Sequence, residues 1–264
     1  MRIAVLGCGP AGLIAAYAAE QLGHTVTIYS RRRSSKMFGA MYLHEPIPGL
    51  CPEAPELSIL VNKIGTREGY ANNVYGDRNA PVSWDKFDDG LTPGWDMGKL
   101  YRKLWAKYGA RIIDTDIYPR LVHDIVDDYD KVFSTIPIRM LCENWQHSFE
   151  DVPIWVLHGR AKQKLNDLMV YNGLEHEPLS IPSWYRYSVI NGYHSYEFSV
   201  KRAPRYLEAQ RAVEGLEVSG GVKPLRTDCD CYPAIVRLGR FGKWNKNAFT
   251  HHSYREVQDA LLAV

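Results

Sequence analysis

The chain has 264 residues, 45% apolar and 23% charged, with a net charge of +2. That balance belongs to a folded globular protein and excludes a disordered one. The near-neutral total argues little about partners, and the basic tracts Arg31 to Arg33 and Lys201 to Arg205 read either as local basic patches or as a solvated face.

Ile3 to Leu6 read as a short apolar strand, Ala11 to Leu22 as a helix of small residues, and Thr25 to Tyr29 as a strand rich in β-branched residues. Between the first two stand Gly7, Gly9 and Gly12, the G-x-G-x-x-G spacing in its strand-turn-helix context. Gly7 permits the tight turn, Gly9 lets backbone approach a pyrophosphate, and Gly12 lets the helix lie close to the sheet. Pro10 and Ala11 open the helix, whose free N–H groups and dipole favour phosphate. The second strand ordinarily ends in an acidic residue that accepts the ribose hydroxyls, and here Ser30 and Arg31 stand in its place. Ser30 with Arg31 and Arg32 reads either as a site for the 2′-phosphate of NADP or as arginines that reach adenine, a pyrophosphate or solvent.

From Ser34 to about Gly94 periodicity is lost among Pro46, Pro48, Pro52, Pro55 and Pro81, which predicts a long irregular excursion that covers a cofactor and lines a substrate site. Met97 to Tyr108 has helical spacing and Gly109 ends it. A strand near Arg111 to Ile113 and a turn at Tyr118-Pro119 precede an apolar strand at Lys131 to Ile136, halted by Pro137. Trp155 to Val200 favours extended strands around the hairpin signal Asn191-Gly192. Trp184, Tyr185, Tyr187, Tyr193 and Tyr196, with Arg186 and His194, either line a substrate site or fill the two faces of an ordinary sheet. Cys229 and Cys231 lack a second ligand pair at matching spacing, so no metal is expected. Ile235 to Leu238 read as a strand and Ser253 to Leu262 as a closing helix.

No segment has the ~18 uncharged apolar residues of a membrane-spanning helix. Met1 leads into a strand pattern without a signal-peptide core, and five scattered cysteines suit a reducing compartment, so a cytoplasmic location is expected. A second G-x-G-x-x-G does not occur, so a separate pyridine-nucleotide domain is not expected.

"DYDKVFSTIP" at 128–137 resembles the second nucleotide-contacting strand of glutathione-reductase-type flavoproteins, in the branch of amine oxidase, protoporphyrinogen oxidase and UDP-galactopyranose mutase. "GRFGKWNKNAFTHHSYREVQDAL", from Gly239 onward, is similar to the closing segment of UDP-galactopyranose mutase and its relatives. The resemblance implies an α/β fold in which a Rossmann-like FAD-binding domain (1–44, 95–150 and 225–264) carries an inserted, mainly antiparallel β lobe (45–94 and 151–224). It implies FAD as cofactor, with Thr135 and Pro137 beside it and Gly239, Arg240, Phe241 and Thr250 near the flavin. It further implies a bend at Gly39, Ala40 and Met41 against the ring, with His44 over it. Arg240 and a helix N-terminus would stabilise the negative charge of reduced flavin. His251 with His252 reads either as a catalytic pair near the flavin, in a set with His44 and Arg240, or as a capping and packing pair at a helix start, and His44 itself either as a residue over the ring or as a packing histidine in a loop.

The activity implied is that of an FAD-dependent oxidoreductase oxidising a C–N bond of an amine or amino-acid-like substrate, including one attached to a nucleotide or DNA base. The chain is similar too, in its compactness, to small stand-alone phage flavoenzymes. A flavin-dependent nucleotide-sugar mutase and a non-catalytic NADP- or FAD-binding regulator are the alternatives. The mutase alternative departs from this chain, which is shorter and lacks a helical uridine-binding domain.

Overall fold

The computed structural model describes residues 1–31, 42–86, 88–163, 165–174, 184–199 and 213–263. Five short strands form a wholly parallel sheet: β1 (Arg2–Leu6), β2 (Thr25–Ser30), β6 (Ile112–Asp114), β7 (Lys131–Ser134) and β13 (Ile235–Arg237), in the order β6-β2-β1-β7-β13. Ile3, Ala4, Val5 and Leu6 are all buried, as a central parallel strand covered on both faces requires. Helix α1 (Pro10–Gln21) is buried along Gly12 to Ala19, because its small side chains let it slot between neighbours. Helices α3 (Met97–Tyr108) and α7 (His252–Leu262) pack beside it, and the Tyr17 and Tyr254 rings lie 6.3 Å apart.

The second sheet has eight strands: β3 (Tyr42–Leu43), β4 (Leu57–Gly65), β5 (Gly90–Asp96), β8 (Phe149–Ala161), β9 (Leu168–Gly173), β10 (Arg186–Ile190), β11 (Tyr193–Ser199) and β12 (Val213–Thr227). Their order is β12-β8-β11-β10-β9-β4-β5-β3. Every pairing is antiparallel except β4 with β9. The β10–β11 hairpin turns through Asn191 (φ 50°) and Gly192 (φ 72°), the positive-φ pair that Asn-Gly adopts most readily. The fold is therefore α/β, a Rossmann-like sheet joined to a mainly antiparallel one.

Two segments are more regular than the sequence pattern predicts. Within the expected irregular excursion, β4 alternates cleanly, with Leu57, Ile59 and Val61 buried and Ser58, Leu60 and Asn62 exposed. Helix α2 (Arg67–Tyr75) follows it, with the Thr66 hydroxyl accepting from the Gly69 N–H at 3.0 Å and Gly76 closing it at φ 73°. Flanking prolines mask this order in the sequence. The expected turn at Tyr118-Pro119 opens helix α4 (Pro119–Asp128), with proline at the first helical position, where its missing N–H costs nothing. Helix α5 (Ile138–Leu141) leads from β7 toward β8, and α6 (Gly239–Gly242) follows β13.

Candidate functional site

At the end of β1 the glycine loop is held from several sides. The Gly7 N–H donates to the Tyr29 carbonyl at 2.8 Å, and the buried Tyr101 hydroxyl on α3 donates to the Cys8 carbonyl at 2.8 Å. Gly7 has φ 101°, and a Cβ there would stand 2.5 Å from Thr135 Oγ1. A Cβ on Gly12 would stand 2.0 Å from the Gly7 carbonyl oxygen. Both glycines are thus demanded by the chain's own packing. Gly9 differs: it caps α1 at φ −66°, and a Cβ on it would meet nothing within 4 Å. Open space in front of Gly9, beside the free N–H groups of α1, is the room a dinucleotide pyrophosphate takes.

The distant segments converge on this loop. The Thr135 N–H and hydroxyl both donate to the Leu6 carbonyl, at 2.9 and 3.1 Å. Leu238 N–H donates to the Ser134 carbonyl at 2.8 Å. Gly239 (φ 66°) lies so close to α1 that a Cβ would be 2.9 Å from Ala11 Cβ, and one on Gly242 would be 2.6 Å from the Ser134 carbonyl oxygen. Gly7, Gly12, Ala11, Thr135 and Gly239 therefore form one cradle. Pro137 caps α5 just beyond it, Phe241 is partly exposed on α6, and the Thr250 carbonyl accepts from Ser253 N–H at the start of α7. Ser30 is buried at the end of β2 and donates its hydroxyl to the Arg31 carbonyl at 3.2 Å, while the Arg31 side chain points to solvent 3.8 Å from Asp116. Gly39, Ala40, Met41, Arg32, Arg33 and Lys201 to Arg205 lie outside the described residues.

His44 and His251 meet. Their rings are 5.9 Å apart, and Phe249 packs against both, edge-on to His44 at 5.2 Å and stacked on His251 at 5.5 Å. Burial, with neighbouring His252 adding repulsion, pushes His251 down to about 4, against the pull of Glu45 3.9 Å away. At neutral pH it is an uncharged imidazole. The resemblance implies each histidine near a flavin separately, and the packing of the segment after β3 against the start of α7 brings the two together.

Arg240 points elsewhere. Its Nε is buried and has no hydrogen-bond partner among the described residues, and its guanidinium lies within electrostatic reach of Arg186, Glu197, Tyr75 and Tyr185. Burial and then Arg186 lower its pKa. Glu197 pairs with Arg186 across the β10–β11 register and with Lys223 Nζ at 2.7 Å, and accepts from the Tyr185 hydroxyl at 3.1 Å. Burial pushes the Glu197 carboxyl up, but the two cations outweigh it and hold it well below the usual range. Burial drives the Lys223 ammonium down to about 7, Glu197 opposing and Arg186 and Arg240 assisting. Two guanidinium groups and the Lys223 amine, all partly buried, thus surround one buried carboxylate, and below about pH 7 the excess of positive charge costs energy unless an anion joins it. The sequence reading named Arg186 and Arg240 without linking them and missed Glu197 and Lys223, which alternate within strand patterns like any surface pair.

The other aromatic residues of the inserted strands divide between faces. Tyr187, Tyr196 and His194 stack together, with the Tyr187 hydroxyl 2.8 Å from His194 Nδ1, and pack with Trp184, Leu157 and Phe198 as a core layer. Tyr185 and Arg186 instead join Glu197. The expectation that Cys229 and Cys231 lack partners is corrected: Cys142 and His147 stand beside them, brought there by the fold from a loop more than eighty residues upstream.

Among solved structures the chain is similar to the peptidyl tryptophan dihydroxylase QhpG, with a TM-score of 0.52 and 15% identity over 99% of this chain and 65% of that one. It is similar to tetracycline destructase Tet(51), with a TM-score of 0.54 and 10% identity over 99% of this chain and 82% of the other. The flavin-dependent brominase Bmp2 superposes with a TM-score of 0.50 and 10% identity over 100% of this chain and 78% of the brominase. Several similar structures are FAD-containing or flavin-dependent. At these identities the likeness is one of fold, a flavoprotein Rossmann-like fold, and it does not point to the amine oxidase branch that the motifs resemble. No protein-family profile and no curated protein matches the chain. No helix among the described residues is long and apolar enough to cross a membrane.

Proposed function

We propose that the chain is an FAD-dependent oxidoreductase whose substrate carries an anionic group. The observation that supports it most is the meeting of the glycine loop, Thr135 and Gly239 in one cradle, with the space before Gly9 left clear. The residues fit the cofactor: Gly9 to Gly12 would hold the pyrophosphate at the start of α1, Ser30 and Arg31 the adenosine ribose, and Gly239 and Phe241 with Thr250 the flavin end. When bound, FAD supplies acceptance of a hydride and reactivity toward oxygen.

The chain's own residues would orient the substrate and move its proton. Lys223, Arg186 and the unpartnered Arg240 Nε favour a carboxylate or phosphate, including that of a nucleotide-linked substrate. His251, uncharged at neutral pH, suits acceptance of a proton from an amine as its C–N bond is oxidised. Residues 45–94 and 151–224, which carry most of the eight-stranded sheet, would choose the substrate. Oxygen insertion with NADPH as electron donor is the second reading, favoured by the monooxygenase-type similarity in fold.

Purified full-length chain should be yellow, release FAD on denaturation by mass, and be bleached without oxygen by an amino acid or amine from a panel of anionic candidates. Bleaching only by NADPH selects the second reading. A colourless protein that binds NADPH tightly and takes up no added FAD overturns the proposal and restores the 2′-phosphate reading of Ser30-Arg31.

A further inference from the structure

We propose that Cys142, His147, Cys229 and Cys231 bind one zinc ion at the base of the inserted sheet. Their four ligand atoms all lie within 4.8 Å of one another. Cys142 Sγ is 3.3 Å from His147 Nδ1 and 3.9 Å from Cys231 Sγ, and Cys231 Sγ is 3.6 Å from the same nitrogen. A tetrahedral ion with bonds of about 2.3 Å to sulfur and about 2.0 Å to nitrogen holds its ligand atoms roughly 3.5–3.8 Å apart. These three separations bracket that range. They do not fit a disulfide, whose sulfurs stand about 2.05 Å apart, and all five cysteines are free.

The surroundings match a ligand set as well. His147 turns Nδ1 toward the sulfurs and Nε2 toward the Asp230 carboxylate at 3.3 Å, the outer partner that fixes a metal-bound imidazole's tautomer. Arg237 donates to the Cys229 and Cys231 carbonyls. Thr227 Oγ1 accepts from the Cys229 N–H at 3.1 Å and donates to the Ser148 carbonyl at 2.7 Å, and the Ser148 N–H donates to Asp228 at 2.7 Å. Both ligand loops are thus clipped together by bonds that do not involve the sulfurs.

Three thiolates and an imidazole are a soft donor set that selects zinc over magnesium or calcium, and four protein ligands leave no open position for a substrate. The ion is structural. Binding exchanges three thiol protons for Zn²⁺, leaving a net charge of −1 on the cluster. Its place gives it a purpose: Cys142 and His147 lie where the chain leaves α5 for β8, and Cys229 and Cys231 where it returns from β12 to β13. The ion would join the two crossings by which β8 to β12 depart from and rejoin the parallel sheet, and so hold that part of the substrate lobe in register with the cradle.

The test is metal analysis of full-length protein purified under reducing conditions without a metal-affinity tag. Expected are about one zinc per chain, release of that zinc on titration with a mercurial, and, in protein reloaded with Co²⁺, the intense visible d–d bands of tetrahedral thiolate coordination. Cys142→Ser and Cys229→Ser should lose the zinc. Because either could misfold, exposed Asp230 provides the milder variant: Asp230→Asn should stay folded and bind zinc about 10–100-fold more weakly, while Cys51→Ser keeps full zinc. Zinc below a tenth of an equivalent, with no cobalt bands after reloading, overturns the proposal. So does zinc retained undiminished in both cysteine variants. Neither readout depends on flavin, so failure here leaves the flavin reading standing and the reverse.

Discussion

The two sheets bury different things. Under the parallel sheet the interior is apolar, with Ile3, Val5, Leu13, Ile14 and Phe133 fully enclosed, and the polarity that matters is backbone: N–H groups at a glycine loop and a helix start. The eight-stranded sheet encloses Glu197, Arg186 and Lys223 in a layer of tyrosines. A surface of backbone dipoles suits one elongated cofactor whatever is done to it, whereas side-chain charges can be exchanged to suit a substrate. Under the proposed function the difference separates a holding region from a choosing one.

Removing the carboxylate from the choosing region should have the largest effect. Glu197→Ala leaves the partly buried Arg186, Arg240 and Lys223 without a counter-charge and should cost about 3–5 kcal/mol of stability, read as a shifted denaturation midpoint. A loss under about 1 kcal/mol would mean that water already reaches the cluster. In the holding region, Gly12→Val drives a side chain into the Gly7 carbonyl and should destabilise the apo-protein by about 1–3 kcal/mol or more. Gly9→Val should leave apo stability within about 1 kcal/mol yet cut retained FAD at least tenfold. Equal damage to stability from both changes would erase the distinction drawn between these glycines.

Smaller effects depend on pH. Lys223 loses its proton near 7, so affinity for a non-titrating anion such as sulfate, read from the bound flavin's spectrum, should fall as pH rises through 7. The fall approaches tenfold per unit at most, and Lys223→Met should flatten it. His251 gives the smallest change. Its folded pKa, about 4, lies below the ordinary 6.5, so the unfolded chain takes up a proton first as pH falls. Stability at this residue is therefore intact above 6.5, erodes as pH falls from 6.5 toward 4, and should erode less in His251→Gln.

Much of the holding region, and one hairpin of the eight-stranded sheet, are legible in the sequence because their signals are local. Gly7, Gly9 and Gly12 announce the loop and Met97 to Tyr108 form the expected helix, while Asn191-Gly192 makes the β10–β11 hairpin. The α4 helix and the β4 strand are obscured by prolines that sit at their edges, where proline is compatible with regular structure. Glu197, Lys223 and Cys142 carry no local signal at all: a buried charge in a strand alternates like a surface one, and a lone cysteine has no period.

The sequence by itself determined the strand-turn-helix that opens the chain and its Rossmann-like class, because turn geometry and apolar periodicity act over a few residues; the strand order β13-β7-β1-β2-β6 was left to the fold. Only the tertiary structure decided that Gly239 rests on Ala11, that His44 meets His251, that Arg240 lies within electrostatic reach of Arg186 and Glu197, and that four metal-ligating side chains share one corner. Those meetings join residues from tens of positions to more than two hundred apart. The burial of whole sheets and helices against one another sets them, and no short window of sequence contains that information.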